Sequence, residues 1–455
     1  MKPLPMQMRG SRKLAGLPQR HWNANSAAHA AEEQHHTAAM LIIVLAAAAL
    51  GWTQGALANL AIMVPLVVAI ITGHFWRAVN ARFVWLVMLL FVALVLHQVP
   101  LILHDLTPFY QGFKAILLGL IAYVGGYVLV GMLRGRPLAL AVVVLAAGSG
   151  FVGLSIVSAV NSGFPLKTLL LPGYAINPIE QVPMHKTHIG MFSSLGMCLA
   201  PLVLFWAPSN WRERLFWLAA LVMVASGFAA NMALQNRTPV IAMGLVLVVG
   251  LAMHLKDTAS KRHSVLWFYG VLVFLTVLAM AATWAISVWW DTLRTTAFAA
   301  FDRSAMATPR YMVWLTVVEH LTDHFWGGRL IALPERYAHD LWLDVLWDSG
   351  LPAFIAWTAF HLLHLLYAIR VLGKPIGNPL RWVLLGTVSS VYTSALVEPV
   401  VGASLFYFWI GLMVLGVVAR LAQDWAAMAA QADGRLNPAP SARAFATRAA
   451  AAGRR

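Results

Sequence analysis

Residues Ile189 to Ala207, Thr238 to Leu255 and Ser264 to Val288 contain no Asp, Glu, Lys or Arg. Each run is long enough to cross the roughly 30 Å hydrocarbon layer of a bilayer as a helix. Lipid offers the backbone no hydrogen-bond partners, so a spanning segment must satisfy its own N–H and C=O groups, which a helix does. The rest of the chain agrees: of its 455 residues 60% are hydrophobic and 11% charged, with a mean hydropathy of +0.73. An average soluble domain has about a quarter of its residues charged.

The apolar runs place twelve spans, at 38–53, 55–73, 83–98, 115–133, 137–158, 189–207, 215–230, 238–255, 264–288, 350–369, 382–397 and 399–419. The first two divide at Gly51-Trp52-Thr53-Gln54-Gly55. The fold expected is an all-α polytopic membrane protein. Residues 1–37 form an N-terminal tail, 38–288 helices one to nine, 289–349 a loop domain, 350–420 helices ten to twelve, and 421–455 a C-terminal tail.

Lys and Arg concentrate in cytoplasmic loops and tails, which tests the count. With both termini inside, 23 of the 32 basic residues fall on the inner side. The net charge of +15 then reports contact with the anionic inner leaflet and requires no nucleic-acid partner. The polar N-terminal tail is too long for the n-region of a cleaved signal peptide, so the first span is expected to stay as an anchor. Cys198 is the only cysteine and lies mid-span, so no internal disulfide can form.

None of these spans holds Asp, Glu, Lys or Arg. Pumps and ion-coupled transporters bind their ion or proton on ionisable groups near the midplane, so the pattern counts against a flippase or other transporter. His97, His361 and His364 lie in or near spans and are expected to be hydrogen-bonded structural residues.

Charge gathers instead in residues 289–349, which hold eight of the 17 acidic residues and five of the nine outer basic ones. Thr308 to Leu321 opens with Thr-Pro, a helix-start signal, and repeats Tyr311, Trp314, Val317, Val318 and Leu321 at helical spacing. This segment is expected to lie on the membrane with its aromatic face down. His324-Phe325-Trp326-Gly327-Gly328-Arg329 follows, where adjacent glycines permit either a plain tight turn or close approach to a ligand. Asp340 is placed to cap a helix beginning at Leu341, which leaves His339 just outside it. Asp344 and Asp348 continue the carboxylate stripe; they read as a solvated face, with a divalent-metal site as the alternative.

Two other outer segments carry charge. Arg237 precedes Thr238-Pro239, which can start span eight. A guanidinium beside free helix N–H groups suits phosphate, and an interfacial snorkelling anchor fits the position equally. The loop 161–188 carries Lys167, His185 and Lys186, which read as interfacial anchors or as further positive charge on that face.

Arg237 at the start of span eight, Arg310 and Trp314 ahead of the Trp326-Gly327-Gly328 turn, and His339 leading to Gly350 resemble the O-antigen ligase and polymerase superfamily. Asp340 stands where that family more often has Asn or Ser. The resemblance covers most of residues 38–420 and implies a GT-C-like membrane glycosyltransferase of the bacterial inner membrane, with both termini cytoplasmic and a periplasmic active site. It implies transfer of O-antigen from undecaprenyl pyrophosphate to lipid A-core during lipopolysaccharide biosynthesis, without metal or cofactor. The roles implied are His339 as general base, Arg237 and Arg310 as pyrophosphate ligands, and Asp340 and Trp314 in support. Lys186, Arg303, Arg329 and His185 are further candidates for substrate contact. O-antigen polymerase and protein O-oligosaccharyltransferase, of the same superfamily, are the alternatives.

Overall fold

A computed structural model describes residues 37–50, 56–133, 136–161, 174–176, 183–234, 238–258, 309–320, 323, 325–329, 340–373, 379–397 and 405–432. In chain order its helices are α1 (Thr37–Leu50), α2 (Ala56–Ile71), α3 (His74–Ala78), α4 (Ala81–Leu103), α5 (Phe109–Met132), α6 (Pro137–Asn161), α7 (Lys186–Met197), α8 (Ala200–Phe205), α9 (Trp211–Leu234) and α10 (Thr238–Thr258). There follow α11 (Pro309–Glu319), α12 (Leu341–Ser349), α13 (Leu351–Leu372), α14 (Leu380–Val397) and α15 (Leu405–Ala432).

Among the described residues, eight helical stretches are long and apolar enough to cross a membrane, and α1 and α2 are shorter apolar helices. The chain is a multi-pass membrane protein. Over their described residues, eleven of the twelve expected spans fall on helices. The ninth, 264–288, lies outside the described residues, as do most of both tails.

Three local features depart from the expected pattern. The sixth span is broken at Cys198–Leu199 into α7 and α8, because Pro201 lacks the N–H that would continue the helix but suits the first turn of a new one. Cys198 is buried at that break. Helix α15 runs to residue 432, well past the expected end at 419, and carries an Arg420–Asp424 ion pair at 3.0 Å one turn along. The segment before α7, read from sequence as a plain loop, contains two short strands, β1 (Tyr174–Ile176) and β2 (Pro183–His185). They pair antiparallel, with Tyr174 opposite His185 and Ile176 opposite Pro183. Proline is tolerated at the start of such an edge strand, where no ladder N–H is needed.

Helix α5 is the centre of one group and packs on α2, α4 and α15. It touches α15 backbone to backbone: a Cβ on Gly126 would run into the Met413 carbonyl, and one on Gly416 into that of Tyr123. Small residues at a membrane-helix crossing permit that approach. Helices α6, α7, α9 and α10 form a second group, and α14 contacts α6, α7 and α10 as well as α15. A hydroxyl seam follows α14, with Ser194 2.5 Å from Ser390 and the Tyr407 hydroxyl 2.9 Å from Ser390 and 3.0 Å from Ser394. Outward faces are apolar, as at Trp85, Ile71 and Val248, which suits contact with lipid.

The ends of the helices keep the charges. Arg381, at the start of α14, pairs with Asp257 near the end of α10 and donates from Nε to the Leu372 carbonyl of α13 at 2.8 Å.

Candidate functional site

Helix α12 begins where the sequence indicated. Asp340 is extended and its Oδ1 accepts from the backbone N–H groups of Trp342 and Leu343, both at 2.9 Å, satisfying two donors that a helix start leaves without partners. Burial pushes the Asp340 carboxyl up to about 6, against the opposing effect of the Leu343 and Trp342 N–H bonds.

The rest of the carboxylate stripe is not a solvated face. Asp344 and Asp348 are each only 7% exposed, since α12 is enclosed by α4, α13 and α14 and touches α11. A buried carboxylate needs a partner. For Asp348 that partner is Arg329, with Nε 2.6 Å from Oδ1 and a second guanidinium nitrogen 3.3 Å from Oδ2. The same guanidinium lies 5.0 Å above the Trp347 ring. Among the described residues no group of three His, Cys, Asp or Glu is arranged to hold a metal ion.

Helix α11 is present over Pro309–Glu319, and its inward face differs from the expected one. Val313 and Val317, one turn apart, are buried against Leu346 and Trp347, with Trp314 packed at the edge of that cluster. Val318, counted with the apolar face expected to lie on the membrane, takes no part in that cluster and is 55% exposed. Its partner is α12, so the small β-branched pair that fits between Leu346 and Trp347 sets the contact face, and aromatic spacing does not.

The glycine turn closes onto the end of α12. Gly327 and Gly328 have φ of 76° and 89°, and Gly350, which ends α12 and begins α13, has 87°. Such values suit residues without a Cβ. A Cβ on Gly327 would lie 2.5 Å from Ser349 Cα, and one on Gly350 would strike the Phe325 carbonyl. Gly328 N donates to the Asp348 carbonyl and Leu351 N to that of Phe325, each at 3.0 Å. The close approach that adjacent glycines permit is therefore to the protein's own backbone.

Helix α4 completes the arrangement. Ser349 Oγ donates to the His97 backbone carbonyl at 2.7 Å and lies 2.8 Å from His97 Nδ1. With its one proton so used, the hydroxyl accepts from Nδ1–H, which fixes the His97 tautomer. His364 is held likewise, Nδ1 donating to Phe360 O at 2.7 Å and Nε2 meeting the Tyr123 hydroxyl at 2.9 Å. Both match the structural role expected of them. The His361 ring is surrounded by Trp342, Trp357, Phe360 and Tyr392.

Of the residues singled out from sequence, His339, Arg237 and Arg303 lie outside the described residues, though His339 directly precedes the Asp340 cap and Arg237 directly precedes α10. The Arg310 backbone is the second residue of α11, Lys186 is the first of α7, and His185 ends β2. Trp314 and Arg329 are brought to the C-terminal half of α12, and Asp340 stands at its start. His97 and Ser349 were not anticipated as partners, and their separation of 252 residues leaves no local signal. No protein-family model and no curated protein sequence matches the chain.

Proposed function

We propose that this chain is a glycosyltransferase of the O-antigen ligase type, twelve-spanning and GT-C-like, in the bacterial inner membrane with its site on the periplasmic face. The observation that carries the reading is the Asp340-capped start of α12, which supports the position His339 occupies in the chain at the boundary of a membrane helix. The arrangement of loops supports it too: residues 99–114 and 289–349, expected on the same outer face, meet where Gly328 abuts the His104 ring.

The reaction needs a base and a held leaving group. A hydroxyl of lipid A-core attacks the anomeric carbon of the undecaprenyl-pyrophosphate-linked glycan. His339, whose ordinary pKa suits the task at neutral pH, takes the hydroxyl proton as the new C–O bond forms. The bond to pyrophosphate breaks and both its electrons leave with undecaprenyl pyrophosphate. Arg237 and Arg310 hold the growing negative charge, so the proposal assigns no role to a metal or cofactor.

The test is to incubate the purified protein with undecaprenyl-pyrophosphate-linked glycan and lipid A-core and identify the glycosylated product. Glycan on lipid A-core supports the ligase. A longer carrier-linked chain means a polymerase, glycan on a protein serine means protein O-glycosylation, and no product contradicts glycosyl transfer.

A further inference from the structure

The three contacts at the end of α12 are independent of one another. The Arg329–Asp348 pair joins the turn to α12 through side chains, at 2.6 and 3.3 Å. Without side chains, the backbone bond from Gly328 joins the turn to α12, and that from Leu351 joins the turn to the start of α13. Ser349 joins α12 to α4 through both its donor and its acceptor capacity. Arg329 itself has φ of 53°, a left-handed conformation uncommon outside glycine, Asn and Asp, so its backbone too is held by its surroundings.

We infer that Arg329, Asp348, Ser349 and His97 are positioning residues, a clamp that makes the Phe325–Arg329 turn, α12 and the C-terminal end of α4 one rigid body. Arg329 then serves the site by holding α12, and its fork is occupied by a protein carboxylate. A ligand phosphate taking the same Nε and Nη donors would displace Asp348, leaving a carboxylate buried without its counter-ion. A rigid clamp at one end of a nine-residue helix fixes the direction of the other end, where Asp340 caps it. The mechanical inference stands apart from the glycosyl-transfer reading, and only its catalytic consequence rests on that reading.

The experiment has two arms. In a Cys198→Ala background, nitroxides at Trp326→Cys on the turn and Trp85→Cys on α4 are compared by pulsed-EPR distance measurement. Both positions are exposed, at 71% and 76%. They are separated by roughly 27 Å of α4 alone, within the range of the method. Asp348→Asn and Arg329→Gln are expected to broaden the distance distribution about twofold. Ser349→Ala, a gentler change, should broaden it less, and Arg329→Lys should stay nearer the wild-type width. An unchanged distribution in both Asp348→Asn and Arg329→Gln overturns the clamp.

The second arm measures glycan transfer with the unlabelled variants. Asp348→Asn and Arg329→Gln are expected to lower kcat about tenfold with the donor KM unchanged, as misplacement of a catalytic group does. A raised donor KM for Arg329→Gln alone, with Asp348→Asn unaffected, would make Arg329 a substrate ligand and overturn its positioning role. If wild-type protein transfers no glycan, the glycosyltransferase reading fails, and the EPR arm still decides the clamp.

Discussion

The hydroxyl seam along α14 and the clamp on α12 both bury polar groups, and they do so with different chemistry. Ser194, Ser390, Ser394 and Tyr407 are neutral, and each hydrogen bond they make could be lost without leaving a charge behind. The clamp buries Asp348 beside Arg329, with the Asp348 carbonyl accepting from the N–H of the positive-φ Gly328 and the Arg329 N–H donating to the Trp347 carbonyl. Neutral seams hold membrane helices together at modest gain per bond. An ion pair in a tight backbone lock contributes little net stability, because desolvation offsets attraction, but it tolerates no displacement. The seam therefore holds the bundle, while the clamp fixes one helix.

That contrast orders the expected effects. The largest belongs to Gly350→Ala, which needs a positive φ and drives a methyl group into the Phe325 carbonyl. It should cost about 3 kcal/mol or more, seen as a large fall in the thermal midpoint in detergent. Gly131→Ala on α5, with nothing within 4 Å of its Cβ, is the control and should be neutral or raise the midpoint. Equal losses at the two sites would mean that the turn is not locked as described.

Tyr407→Phe removes the hydroxyl that joins Ser390 and Ser394. The expected loss is about 0.6 kcal/mol per interhelical bond, with any transfer activity kept. A loss as large as that of Gly350→Ala would erase the distinction between seam and clamp.

The smallest effect expected is on pH dependence. The Asp340 carboxyl in the folded protein sits at about 6, above its ordinary 3.8, so the fold holds the proton more tightly than the unfolded chain does. Stability from this group is therefore gained as pH falls through about 6, is complete below 3.8, and is absent above 6. Asp340→Asn keeps a cap acceptor but cannot titrate, so its thermal midpoint should change less than that of wild type between pH 7.5 and 5. Identical pH slopes would show that Asp340 is not desolvated.

Local features of this fold were legible in the sequence. The start of α12 follows from Asp340, that of α11 from Thr308-Pro309, and the membrane helices from runs without charge. What depends on distant partners was not. Nothing near Asp344 or Asp348 says that α4, α13 and α14 enclose them, so a stripe of carboxylates reads as solvated until the third dimension is known. The same holds for α11, whose Val313 and Val317 face inward because α12 offers Leu346 and Trp347. Gly327 and Gly328 announced a tight turn, but only the fold shows that Gly327 meets Gly350 at the end of α12. The assignment of a base and two phosphate ligands is a proposal that rests on the family resemblance together with adjacency in the chain, since His339 and Arg237 lie outside the described residues.

His339, which directly precedes the Asp340 cap in the chain, is proposed as the base for glycosyl transfer. Its most direct test reconstitutes wild-type protein and His339→Ala in liposomes with undecaprenyl-pyrophosphate-linked glycan and lipid A-core, and follows glycan appearing on lipid A-core. Wild type should give product and His339→Ala none above background, with equal amounts of folded protein inserted. Product from His339→Ala at the wild-type rate would contradict that role.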